Sequence, residues 1–310
     1  MVEHVFITGA SGCVGHYLVD ELASDPRYHL HLLVRDPSRL RFDWAGRSNL
    51  SLVVGDVLDL ERFAPMLAEM DHMIYAAAAW GDPVSYEINF HAPHRMFALA
   101  NPERIKQIVN FSTASILDPD NELLPEAEKE GTDYIRSKYL ACKHLDEHPF
   151  MDRITTVFPT LIFGGSDRHP SSHLTSGLKE VERWLPLARF VTLEGTLHFI
   201  HARDIARIVK HVLVNSSNER RLVLGNAAMS VDRLLPELCE AYGVKRGPKV
   251  DLTAMATQVT RLFNRRMNSW DHFSLRYRHF TYHTVNAETY GLPIDLTNLQ
   301  AIVNEARSHA

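Results

Sequence analysis

Residues 8–15 of this 310-residue chain read Thr8-Gly9-Ala10-Ser11-Gly12-Cys13-Val14-Gly15, and no other stretch restricts the fold as much. They join an apolar, strand-like run, Val2–Thr8, to a segment of helical character, Val14–Ala23. Glycines at such a junction permit a tight turn and let an anion approach the backbone N–H groups of a helix N-terminus. The spacing is Gly-x-x-Gly-x-x-Gly, not the Gly-x-Gly-x-x-Gly of the best-known dinucleotide fingerprint. Position therefore carries the argument: the loop follows the first strand of an alternating chain. Read as a pyrophosphate cradle, it assigns Gly9, Ser11, Gly12, Cys13, Val14 and Gly15 to cofactor binding; the bland reading is a plain strand-to-helix turn.

Downstream, short apolar runs alternate with helix-like segments, the pattern of a parallel sheet covered on both faces. Strands are expected at Leu30–Val34, Leu50–Val54, His72–Ala77, Ile108–Ser112, Ile154–Pro159 and Leu222–Leu224. Helices are expected at Leu60–Met70, Ile88–Ala100 (started late or kinked by Pro93), Asp133–Asp146, Asp204–Val214 and Val231–Tyr242. Residues 166–183 read as polar chain, and Arg261–His283, rich in Arg, His and aromatics, gives no clean periodicity. The predicted plan is an α/β, Rossmann-type doubly wound parallel sheet with a smaller, interleaved C-terminal substrate domain. Residues 1–165 plus about 190–225 form the dinucleotide-binding domain; about 166–189 and 226–310 form the substrate-binding domain.

Composition narrows the partners. A net charge of -5 without long runs of like charge argues against nucleic acid or an anionic membrane. No stretch approaches the roughly 18 apolar residues of a membrane span, and the N-terminus offers no signal peptide. Cys13, Cys142 and Cys239 are too few and scattered for a disulfide framework, so free thiols and a cytoplasmic location are expected. The 18 histidines lack the short paired spacing of a zinc site, and no metal is expected.

The tip of the second strand sets cofactor choice. An acid there binds the ribose 2′-hydroxyl of NAD, and an arginine accommodates the 2′-phosphate of NADP. Here Arg35 comes first, followed by Asp36 and then Arg39, which favours NADP(H) while leaving NAD(H) open. Asp56 and Val57 follow the third strand; Asp56 either accepts from an adenine amino group or caps the next helix. Ala76 and Ala77 follow the fourth strand, where small side chains let backbone approach a cofactor or simply pack closely.

Hydride transfer at a carbonyl needs a proton donor and a cation that makes it acidic enough, since an unperturbed tyrosine titrates near pH 10. Tyr134 and Lys138 lie four residues apart on one predicted helix, and Tyr139 and Lys143 repeat the spacing. Five residues rotate a helix by about 500°, so the two pairs face directions about 140° apart and only one can serve. Spacing alone does not choose between them.

The motifs Thr8–Gly15, Gly55-Asp56-Val57, Phe111-Ser112-Thr113, Tyr134-Ile-Arg-Ser137-Lys138 and Phe158-Pro159 through Gly164 fall in an order that resembles the extended short-chain dehydrogenases/reductases, a superfamily of NAD-dependent epimerase/dehydratase-like proteins. In that family a serine precedes the catalytic lysine, which fits Ser137-Lys138 and not Cys142-Lys143. The resemblance implies Tyr134 as general acid/base, Lys138 binding the nicotinamide ribose and lowering the Tyr134 pKa, and Thr113 holding the substrate oxygen, with Ser115 in reserve. Tyr134, Lys138 and Pro159 also join the cofactor set. Val34-Arg35-Asp36-Pro37 is similar to the cofactor turn of the dihydroflavonol and cinnamoyl-CoA reductase branch. His201-Ala-Arg-Asp204 resembles a late His-x-x-Asp element, implying Asp204 as an N-cap.

The sequence departs from the family at Phe158, where many nucleotide-sugar members have arginine, and at Ala114-Ser115, where dehydratases carry Asp-Glu. The first expectation is an NADPH-dependent reductase of a small-molecule carbonyl. The alternatives are a nucleotide-sugar epimerase with tightly held NAD(P), which Arg261, Arg265 and Arg266 would favour as phosphate ligands, and a non-catalytic dinucleotide sensor. Trp80, Tyr86, His169, His173, Trp184 and His198 are candidate pocket residues or ordinary packing. The resemblance also implies a homodimer through the helices containing Asn89 and Tyr134.

Overall fold

The computed structural model describes residues 2–81, 83–145, 148–149, 151–215, 219–248, 250–251, 267–294 and 298–308. Its frame is a seven-stranded parallel sheet. The chain supplies β1 (Glu3–Thr8), β2 (Tyr28–Val34), β3 (Leu50–Val54), β4 (His72–Tyr75), β5 (Gln107–Phe111) and β6 (Ile154–Pro159). The short strands β7 (Leu161–Phe163), β8 (Val191–Thr192), β9 (Thr196–Leu197) and β10 (Phe199–His201) follow, and β11 (Arg221–Leu224) returns to the sheet edge. The order is β11-β6-β5-β4-β1-β2-β3, the doubly wound arrangement with a seventh strand added beyond β6. Strand order reverses beside β1, so the carboxyl ends of β1, β4 and β5 open the crevice where such sheets bind ligands.

Both faces are covered, so the strands read as continuous apolar runs. On one face Val5, Ile7, Leu30, Leu32 and Ile74 pack under α1 (Cys13–Ala23) and, further along the chain, the helix Ala202–Asn215. On the other, Phe6, Leu33, Met73 and Ile108 pack under α2 (Ala64–Leu67) and α3 (Ala92–Ala98). Two more helices, α4 (Pro125–Lys129) and α5 (Asp133–Lys143), lead into the site. A separate apolar cluster gathers α6 (His173–Ala188), α8 (Val231–Ala241) and the helix Leu299–Ser308, while α7 (Ala202–Asn215) packs beside α1 in the first cluster.

Several expectations need correction. The helix expected over Leu60–Met70 is a 3-10 segment, Val57–Phe63, followed by the one-turn α2, because Pro65 supplies no N–H to extend a regular helix. Pro93 acts as a start: Glu87–His91 forms a π-turn and α3 begins at Ala92, with the proline in its first turn. The polar stretch after residue 165 contains a 16-residue helix, α6, whose Leu174, Leu178 and Leu185 recur at helical spacing on the face turned to an apolar cluster; the polar residues around them hid that period. Within the segment read as aperiodic, Ser269–Tyr277 is a helix opened by an Asn268/Asp271 capping box. Asp204 is not an N-cap. It lies inside the first turn of α7, buried and paired with Arg207 at 3.3 Å, while the His201 ring accepts from the Arg203 N–H. The strand at His72 ends at Tyr75, which leaves Ala76 and Ala77 in the loop.

Candidate active site

The three glycines of the first loop do different work. Gly9 has φ +74°, and a Cβ there would meet the Ala76 carbonyl carbon at 2.7 Å. A Cβ on Gly15 would overlap the Gly9 carbonyl oxygen and lie 2.7 Å from the Ala10 Cα. These two are required by the protein's own packing. Gly12 is exposed, and a Cβ there would meet only the Gly9 oxygen, at 3.3 Å. It is the N-cap of α1, with no side chain capping the helix and no acid in its first turn. A helix end left positive and open to solvent, behind a residue without a side chain, fits the pyrophosphate of a dinucleotide. Ser11, Cys13 and Val14 flank that opening and are partly exposed. Thr8 closes the floor: its buried hydroxyl accepts from the Ala76 and Ala77 N–H groups, both at 3.2 Å.

At the tip of β2, Asp36 accepts from both the N–H and the hydroxyl of Ser38, which holds its carboxylate below the usual range and in its own turn. Arg35 and Arg39 are exposed, and Arg35 approaches Asp56 at 3.7 Å. Asp56 accepts from the Leu58 N–H, so the capping role is present, and Val57 is buried behind it. Pro159 is buried at the end of β6, opposite Leu224.

The helix α5 starts from Thr132, whose hydroxyl caps the Ile135 N–H. Its Tyr134–Lys138 face turns inward. Lys138 is 3% exposed and donates to the Phe111 carbonyl at 2.7 Å, fixing the helix to the end of β5. Burial lowers its pKa to about 8. Thr113 sits just past β5, caps the short turn that follows it, and donates to the Ser115 hydroxyl at 3.3 Å. Burial pushes the Tyr134 phenol up, and a hydrogen bond with Thr113 pulls the other way. The expectation that Lys138 lowers the Tyr134 pKa is not met here. Its ammonium is turned to the main chain, and burial dominates the phenol. The second pair resolves differently at its lysine: Tyr139 is buried in the apolar cluster that also holds Tyr134, while Lys143 lies at the surface, 3.1 Å from Glu128.

Asn89, not singled out as a site residue from sequence, supports the tyrosine together with Ser137. Asn89, in the π-turn, accepts from the Ala79 N–H at 3.0 Å and donates to the Ala79 carbonyl at 2.8 Å. It also donates to the Ser137 hydroxyl, which in turn donates to the Tyr134 carbonyl at 2.9 Å. The legible signal was an asparagine on an apolar helical face, since a buried amide must find partners. Of the pocket candidates, Trp80 stacks on Tyr134 with ring centroids 3.9 Å apart, and His173 lies 5.1 Å from the same indole. The others go elsewhere. His169 stacks on Tyr17 and bonds Asp20, His198 bonds the Asn226 carbonyl, Trp184 is exposed beside Glu180, and Tyr86 leads into the π-turn. Arg261, Arg265 and Arg266 lie outside the described residues. A cavity of about 780 Å³ lies between Arg41, the 165–171 loop and α6, and neither Tyr134 nor Lys138 lines it. Among the described residues no group of three or more His, Cys, Asp or Glu side chains is placed to hold a metal, and no helix is long and apolar enough to cross a membrane.

The model of the NAD-dependent epimerase/dehydratase family matches residues 5–225. The chain belongs to that family. No curated protein matches it in sequence. Among solved structures, the UDP-glucuronic acid 4-epimerase from Bacillus cereus, in complex with UDP-glucuronic acid and NAD, is 14% identical with a TM-score of 0.68, over 98% of this chain and 99% of the epimerase. The UDP-N-acetylglucosamine 4-epimerase from Methanobrevibacter ruminantium is 16% identical with a TM-score of 0.67, over 99% and 98%. The dTDP-glucose 4,6-dehydratase from Bacillus anthracis, in complex with NAD, is 13% identical with a TM-score of 0.69, over 99% and 96%. At these identities the likeness is one of fold. Family membership makes this member of the epimerase/dehydratase group an enzyme-type chain built for a nicotinamide dinucleotide.

Proposed function

We propose that the protein is a nucleotide-sugar epimerase that inverts one sugar carbinol, with NAD(H) held as a resident cofactor. The observation that carries the chemistry is the meeting of Thr113, Tyr134 and Lys138 at the end of β5, in a parallel sheet whose β1 ends at the open Gly12 turn. When bound, a nicotinamide dinucleotide would supply the site with a reversible hydride acceptor. The Gly12 turn and the first turn of α1 would hold its pyrophosphate, and Lys138 its ribose hydroxyls. Tyr134 takes the hydroxyl proton as the carbinol is oxidised and gives it back when the carbonyl is reduced. Thr113 holds the substrate oxygen and supports the phenolate by hydrogen bonding. Lys138, whose ammonium donates to the Phe111 carbonyl, would hold the ribose hydroxyls and supply the cation that a phenolate at Tyr134 needs. The family and the full-length fold matches to epimerases favour this over the net reductase expected first. The Asp-Glu pair of dehydratases is replaced by Ala114-Ser115, which disfavours elimination.

One observation favours a second reading, an NADPH-dependent carbonyl reductase. Asp36 is engaged by Ser38 while Arg35 and Arg39 are left exposed, a turn suited to a 2′-phosphate. The two separate cleanly. An epimerase releases stoichiometric NAD on denaturation and needs no added cofactor. A reductase exchanges its cofactor, prefers NADPH by calorimetry, and loses that preference in Arg35→Ala. Purified protein that carries no dinucleotide and binds NADPH at least tenfold better than NADH would overturn the epimerase.

A further inference from the structure

Trp80 is 59% exposed, although one face of its indole is laid on the ring of the proton donor at 3.9 Å and 11°. A large aromatic ring half in water and half on a buried tyrosine is either an incidental surface residue or one face of a ligand site. Three features decide between them. The residue before it is fixed at both backbone polar groups by Asn89, which is itself bonded to Ser137 of the catalytic helix. The residue after it, Gly81, has φ +62° and open space where a Cβ would stand, so the backbone there can turn without a clash. On its far side the indole meets His173, the first residue of α6, at 5.1 Å and 57°. An aromatic ring is thus anchored to the catalytic helix on one side, free to adjust on the other, and bounded by a helix of the third apolar cluster.

We infer that Trp80 is the specificity-determining residue on the substrate side, and that its indole takes the apolar face of the sugar ring bearing the reacting carbon. This rests on the reading of Tyr134 as proton donor to a nucleotide-linked sugar. Inversion requires both faces of the oxidised carbon to be presented in turn to one hydride carrier. A support made of a flat ring, without directional hydrogen bonds, holds a ring of axial C–H groups while permitting that turn. On binding, the indole gives up its contact with the Tyr134 ring to the sugar, which leaves the phenol hydroxyl beside Thr113 facing the substrate oxygen.

The test is calorimetry of wild type, Trp80→Phe and Trp80→Ala with UDP-glucose, UDP-N-acetylglucosamine, dTDP-glucose, and UDP and dTDP alone, alongside NAD. Trp80→Ala is expected to lose about tenfold in affinity for the sugar nucleotide that wild type binds, and Trp80→Phe about threefold, with UDP, dTDP and NAD unchanged. The indole emission of wild type, compared with Trp80→Phe, should change on adding that sugar nucleotide and not on adding UDP or dTDP. A sugar nucleotide bound equally by wild type and Trp80→Ala overturns the role of Trp80 and leaves the proposed function standing. Wild type that binds NAD but none of the three sugar nucleotides overturns both.

Discussion

Tyr134–Lys138 and Tyr139–Lys143 are the same two residue types at the same spacing on one eleven-residue helix. One pair is buried, with its lysine against the end of β5 and its tyrosine beside Thr113. The other has its tyrosine buried in the same apolar cluster as Tyr134 but with its lysine outside, in an exposed ion pair with Glu128. Identical local chemistry therefore acquires different meaning from what the helix packs against. Burial makes a lysine costly, and a costly lysine is kept where a ligand uses it.

The comparison breaks most visibly in turnover. Tyr134→Phe is expected to lower it by about 10³-fold, as for loss of a positioned general acid, and Tyr139→Phe by no more than about threefold. Steady-state assays on both variants, with NAD content verified, check this. Next come the lysines. Lys138→Met should weaken dinucleotide binding by roughly 100-fold while raising unfolding stability by about 2 kcal/mol, because the buried ammonium is a cost to the fold only partly offset by its bond to Phe111. Lys143→Met should leave the dinucleotide affinity unchanged. Calorimetry and denaturant unfolding read the two effects separately, and a destabilised Lys138→Met would show that the ammonium supports the fold.

The pH dependence follows from the same burial. Burial lowers the Lys138 pKa to about 8 in the folded chain from the ordinary lysine value of 10.5, so between those values the unfolded chain binds more protons. Stability should thus rise with pH across that window, while dinucleotide binding weakens as the folded lysine loses its charge. Both trends should vanish in Lys138→Met and persist in Lys143→Met. The smallest contrast is between the two hydroxyls past β5. Thr113→Ala should cost about tenfold in turnover, and Ser115→Ala about twofold, because Thr113 is the one bonded to Tyr134. Equal losses would mean that both hold the substrate oxygen.

Much of the frame was legible because buried parallel strands leave continuous apolar runs and the Gly9–Gly15 loop has few alternative uses. The choice of tyrosine was not legible from spacing, since both pairs satisfy it; Ser137 decided it only through resemblance. Asn89 and Trp80 were harder still. Their significance comes from contacts between β4, α5 and α6, elements far apart in sequence. The helix α6 escaped for a different reason: Leu174, Leu178 and Leu185 carry a helical period, but the Ser, Thr and His residues around its start read as loop. The role expected of Asp204 failed because His201 stands at the α7 start instead.

A crystal structure of the protein with its dinucleotide bound tests the central claim most directly. The account predicts a pyrophosphate on the Gly12 turn, ribose hydroxyls on the Lys138 ammonium and the nicotinamide ring beside the Tyr134 hydroxyl. A dinucleotide seated away from Gly12, or a nicotinamide ring beside neither Tyr134 nor Thr113, would contradict it.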